Sequence, residues 1–149
     1  MYSVNRSLVQ DQLEDKQIRK IEEDLRSRKM PDDVVAGILS FLTVEKIPLD
    51  TRRIHTAMHE VKQEHPDMLE SFRFSRGDLY PFSRLLEKTL FRLQNSSLIS
   101  TTNPDFKNCI VSRESKEFIR RNILPLFSRN EQQQLQEMGR SFERLMTSP

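Results

Sequence analysis

Apolar residues recur at helical spacing through most of this chain, in blocks separated by short polar or proline-containing breaks. Residues 7 to 29 are nearly all helix formers and densely charged. Ile18, Ile21 and Leu25 share a narrow stripe that Leu8, Val9 and Leu13 do not continue, so the second half of this helix is expected to dock on something. Met30-Pro31 ends it, because proline disfavours helical geometry in the residue before it. Asp32 or Asp33 is expected to cap a second helix running to about Glu45. Its Val34, Val35, Ile38, Leu39, Phe41 and Leu42 cover a broad arc, which marks a central core helix. Lys46-Ile47-Pro48-Leu49 reads as an extended link. Asp50 caps a third helix from Thr51 to Glu64, with Ile54, Ala57, Met58 and Val61 on one face.

His65-Pro66 stops that helix. Residues 66 to 81 are longer than a tight turn, and Phe72, Phe74, Leu79 and Tyr80 suggest an insertion with its own packing. A helix over Phe82–Gln94 follows, presenting Leu85, Leu86, Leu90 and Leu93 to the core. Two short apolar runs, Leu98-Ile99 and Cys109-Ile110-Val111, joined through Asn103-Pro104-Asp105, predict a hairpin. Ser112 caps a helix over Arg113–Asn122, with Phe118, Ile119 and Ile123 expected inward, and Pro125 breaks it. Ser128 and Glu131 form a capping box that opens a last helix, whose Leu135, Met138, Phe142, Leu145 and Met146 make one stripe.

Composition narrows the class. A chain of 149 residues favours one domain with a helical appendage, and 31% charged residues with three Gly and no Trp fit a helix-rich protein. No apolar run approaches the roughly 18 residues of a membrane span, and the first residues have no secretory apolar core. A single cysteine, Cys109, fits a reducing, cytoplasmic setting and reads as a small core hydrophobe rather than a nucleophile. The net charge of +2 is modest but uneven. Residues 30 to 75 carry five basic and eight acidic side chains, whereas residues 76 to 128 carry nine basic and five acidic. A positive half of this kind can steer a polyanion.

The order of elements over residues 32 to 124 resembles the winged-helix superfamily. Gly77, Tyr80-Pro81-Phe82-Ser83 and Ser97-Leu98-Ile99 are similar to a pattern in small prokaryotic winged-helix proteins, antitoxin-like and phage-associated members among them. There a Gly-Pro-Tyr-Ser turn opens the third helix and Gly-Leu-Ile follows it. Here Gly and Pro are not adjacent, and Ser97 stands at the glycine. The resemblance implies a mostly α fold with a small β-hairpin. Its domain spans residues 32–124, with a charged helix over 1–31. Residues 125–149 form a helix packing on the domain or on a second copy, so a homodimer through the terminal helices is one expected state.

On a reading helix over residues 82–94, Arg84, Lys88 and Arg92 form a cationic stripe able to contact guanine edges or phosphates of duplex DNA. Arg52 and Arg53, opening the preceding helix, are further phosphate candidates. Between residues 101 and 108, Lys107 stands as the one cation and Asp105 offsets it, a poor minor-groove reader. Phe91 falls opposite the core face, at about 180° from Phe82. An aromatic there is expected to be buried by a terminal helix, by the 72–80 insertion or by a partner protein. His55 and His59 have the four-residue spacing of a shared metal. They lack the zincin Glu and an obvious third ligand, and both are expected to be exposed. No phosphate-cradling glycine loop, dinucleotide fingerprint or nucleophile elbow is present, so no cofactor or metal is assigned and nothing points to an enzyme. The sequence therefore suggests a DNA-binding transcriptional regulator. The alternative is a protein-interaction subunit or antitoxin-like adaptor that uses the same surface for docking.

Overall fold

The computed structural model describes residues 14, 16–17, 30–76, 79–101 and 107–148. The helix expected over residues 7–29 with its Ile18/Ile21/Leu25 stripe, Gly77 of the resembled pattern and the Asn103-Pro104-Asp105 loop lie outside the described residues, apart from Glu14, Lys16 and Gln17, which are helical and exposed. The chain is mostly helical with a small antiparallel sheet. In order come α1 (Pro31–Ser40), β1 (Lys46–Pro48), α2 (Thr51–Glu64), α3 (Arg84–Asn95), β2 (Asn108–Ile110), α4 (Arg113–Asn122), a 3-10 turn (Leu124–Leu126) and α5 (Arg129–Thr147).

The strand pairing differs from a simple hairpin. β2 pairs along its length with β1, in the register Lys46↔Ile110, Ile47↔Cys109 and Pro48↔Asn108. The 98–100 segment joins from the other side through one bridge, Ser100↔Ile110. The link read as Lys46-Ile47-Pro48-Leu49 is thus a strand. Proline holds its predecessor extended and lacks an N–H, a combination tolerated on an edge strand such as β1.

Helix boundaries follow local caps where those exist. Asp50 accepts the Arg53 amide at 3.2 Å, Ser83 the Leu86 amide at 3.2 Å and Ser112 the Ser115 amide at 3.1 Å. The Ser128/Glu131 capping box is closed in both directions, at 3.1 and 2.9 Å. α1 departs from expectation at both ends. Met30 occupies the cap, with its N–H donated to the Asp33 carboxylate at 3.2 Å, so Asp33 lies inside the first turn. The helix then stops at Ser40 rather than near Glu45: the Phe41 and Leu42 amides turn back to Ile38 O and Leu39 O, and a carboxylate from the far end of the chain takes the two amides after them. Glu143 on α5 accepts from the Thr43 and Val44 N–H groups at 2.8 and 2.9 Å.

α1 is buried from Val34 to Ser40, and α5 lies across it and α2 with Leu135, Met138, Phe142 and Met146 no more than 1% exposed. Two of the chain's three glycines meet at that crossing. A Cβ on Gly139 would come within 2.8 Å of the Ile38 carbonyl oxygen and of Phe41 Cβ, and one on Gly37 within 2.9 Å of Leu135 Cδ1. The 66–81 segment folds back onto the core through Leu69 and Phe72, and Lys62 donates to the Phe72 carbonyl. Leu79 is exposed instead of packed. On α4, Ile119 is buried but Phe118 points outward, 51% exposed, against the expectation that it faces the core.

Candidate interaction surface

α3 is positioned from both ends. At its start, His55 Nδ1 accepts the Ser83 N–H at 3.0 Å while the Ser83 hydroxyl caps the helix. The His55 ring stacks on Phe82 with centroids 4.6 Å apart, and Tyr80 meets both rings edge-on. His55 is therefore buried, contrary to the exposure expected from its place off the Ile54/Met58 stripe. That stripe faces the core proper, whereas His55 faces the aromatic turn before α3. Burial lowers its pKa, with Glu87 opposing weakly. His59 has a different partner, the edge of Phe74, so the two rings are engaged separately.

At the end of α3, the Ser97 N–H donates to Gln94 O and the Leu98 N–H to Leu93 O, both at 3.0 Å. This double closure is a Schellman motif, and it puts Ser97 at φ 65°. Left-handed backbone of that kind favours glycine, the residue at this position in the pattern the sequence resembles.

Leu86, Thr89 and Leu93 face the core, which leaves Arg84, Glu87, Lys88 and Phe91 outward. Phe91 is 62% exposed, so the expected burial does not occur. The described elements that could have covered it are engaged elsewhere: α5 on α1 and α2, and the 66–81 segment through Leu69 and Phe72. Beside Phe91 runs a cleft of about 210 Å³, lined by Leu49, Ile54, Leu90, Ile99 and Cys109. Cys109 is buried in its floor, and desolvation pushes the thiol up to about 11, which suits a packing role and not a thiolate nucleophile.

The five cations marked in the sequence do not converge. Arg84 and Lys88 share the open face of α3. Arg92 leans to one side, where its guanidinium holds Asp32 of α1 at 2.7–3.1 Å. Arg53 donates to the last carbonyls of α5, Met146 O at 2.8 Å and Ser148 O at 2.7 Å, satisfying groups that a helix end leaves open. Arg52 is exposed and lines a cleft with Leu145 and Ser148, whereas Thr51, Ile54 and His55 line the cleft beside α3. The two arginines thus lie on the other side of α2 from the outward face of α3.

Sequence patterns gave no sign of the His55 bond or the Glu143 clamp. Each joins residues far apart in the chain, and Ser83, which a helix starting at Phe82 would hold inside its first turn, is instead the cap of α3. Among the described residues no three His, Cys, Asp or Glu side chains are grouped as a metal site, and no helix is long and apolar enough to cross a membrane. No protein-family model, curated protein or solved structure matches the chain.

Proposed function

We propose that this chain is a winged-helix module that binds duplex DNA through the outward face of α3, as a regulator without chemistry of its own. The layout supports the reading: helix, strand, two helices and a return strand, with β1 and Ser100 flanking β2. The observation that carries it is the open face of α3, where Arg84 and Lys88 flank an uncovered Phe91. Such a helix can offer cations to phosphates and guanine edges, and a phenyl ring to a thymine methyl.

The test is fluorescence anisotropy with duplex DNA over a salt series. Two cationic contacts predict a shallow dependence, a log–log slope of about −2. The Arg84→Ala/Lys88→Ala double variant is expected to lose about tenfold or more in affinity and most of that slope while keeping its melting temperature. Equal affinity in wild type and variant would overturn the reading.

A second reading rests on Phe91 and the apolar cleft beside it. A large exposed aromatic bordering a concave apolar surface is the anatomy of a protein-docking hot spot. This adaptor reading predicts binding that depends on Phe91, is insensitive to salt, and survives loss of Arg84 and Lys88.

A further inference from the structure

A larger cleft than the one beside Phe91 lies elsewhere, with a volume of about 660 Å³. It is bounded by the segment leaving α1 (Phe41, Leu42, Thr43, Glu45), by one face of α4 and by α5. Arg113, Lys116 and Arg120 recur at helical spacing along α4, and Arg140 joins them from α5. Four cations thus line the cleft against two carboxylates, Glu45 and Glu117. Glu143, close by, has an oxygen occupied by the Thr43 and Val44 amides.

Two of these cations have a structural task. Lys116 Nζ donates to Val44 O at 2.9 Å, and Arg120 Nη2 donates to Ser40 O at 3.3 Å, so they satisfy carbonyls where α1 ends. That task fixes their positions and leaves further N–H donors on each. The other two have no such task. Arg113 touches Glu117 loosely, at 3.6 Å with its own side chain 88% exposed, and no partner of Arg140 is found among the described residues. Burial pulls the Lys116 pKa down; Glu45 and Glu143 oppose this, and the like charge of Arg120 adds to it. The site therefore holds four cations against three nearby carboxylates, Glu45, Glu117 and Glu143, with Lys116 and Arg120 fixed by their backbone bonds.

We propose that this cleft binds a small phosphate-bearing molecule, held by Arg113, Arg120 and Arg140 with Lys116 at its base. Guanidinium forks suit phosphate oxygens, which accept two parallel N–H bonds from one arginine. The volume lies within the range of roughly 300–1,000 Å³ common for small-molecule sites. The position favours a small ligand over the backbone of DNA bound at α3. Arg92 of α3 meets α1 at its first turn, through Asp32, whereas the cleft opens beyond the last turn of α1. A helix of ten residues, about 15 Å long, separates the two.

The site does not depend on the DNA reading, and one experiment tests them apart. The full chain is titrated with pyrophosphate at constant ionic strength, and binding is followed by calorimetry. Saturable binding is expected in wild type and in Arg84→Ala/Lys88→Ala. It should weaken by about tenfold or more in Arg113→Gln/Arg140→Gln, because hydrogen bonds to charged groups carry binding energy of that order. Neither of those arginines holds a backbone group, so the melting temperature of that variant should stay the same. Absence of saturable binding, or equal affinity in Arg113→Gln/Arg140→Gln, would overturn the proposal. Duplex DNA provides the second arm. If it displaces pyrophosphate, and Arg113→Gln/Arg140→Gln lowers DNA affinity, these cations belong to a nucleic-acid contact and the small-molecule assignment fails.

Discussion

Two histidines four apart on a helix invite a metal, and His55 with His59 has that spacing. In the fold His55 does something else: its Nδ1 accepts the Ser83 amide, which requires an unprotonated nitrogen and places the proton of the neutral ring on Nε2. Protonation would remove the acceptor that ties α2 to the start of α3, in a site where burial already disfavours the charge. The folded pKa therefore lies below the unfolded value of about 6.5. The unfolded chain then takes up the proton first, so stability should fall as pH drops below about 6.5 and level off beneath the lowered folded pKa. Melting temperatures between about pH 7.5 and 5.5 read this directly. The wild-type curve should decline towards acid, and His55→Gln, less stable throughout, should flatten it. A flat wild-type curve over that window would show that the bond does not couple to titration. Phe91 teaches the same lesson from the opposite side. Its angle on α3 was readable, but whether anything covers that angle depends on where distant segments go.

Elements were legible where their signals are local. The helix Thr51–Glu64 is bounded by its own Asp50 cap and by His65-Pro66, and the sequence places both ends. α1 was read about five residues too long, since its stop includes Glu143 a hundred positions away. The hairpin was read with the wrong principal partner, because Ile47-Pro48 carries no sign of which extended segment it will meet. The crossing of α1 and α5 was equally hidden, although Gly37 and Gly139 mark it. These glycines should respond differently to alanine, which favours a helix over glycine by about 1 kcal/mol. At Gly139 the new methyl meets the Ile38 carbonyl oxygen at 2.8 Å, which cannot move without shifting α1. Gly139→Ala is expected to destabilise by about 1–3 kcal/mol despite the propensity gain. At Gly37 the obstacle is the end of the Leu135 side chain, which can change rotamer, so Gly37→Ala should cost less. Denaturant unfolding of both variants gives the comparison. A larger loss at Gly37 than at Gly139 would mean that the two helices are less rigidly apposed than this geometry.

For the whole molecule, the sequence read residues 125–149 as a helix packing on the domain or on a second copy, and in the fold α5 lies on α1 and α2 with its stripe in the core. A stripe such as Leu135/Met138/Phe142/Met146 shows that a helix needs covering, but not that the domain needs the helix. The structure supplies the missing half. α1 is buried from Val34 to Ser40, with α3, α4 and α5 all packed against it, and removing α5 would open α1 and α2 to water together. Glu143 would no longer close the link after α1, and Arg53 would lose the carbonyls it caps. Burial of four large apolar side chains is worth about 6–12 kcal/mol, on the scale of the 5–15 kcal/mol by which a typical domain is stable. A chain ending at Phe127 is therefore expected to lose its cooperative thermal transition rather than melt a few degrees lower. Scanning calorimetry of that chain beside the full one is the measurement. A sharp, reversible transition in the truncated chain, close to that of the intact protein, would mean that α1 to α4 close a core of their own and that α5 is the appendage its sequence position suggests.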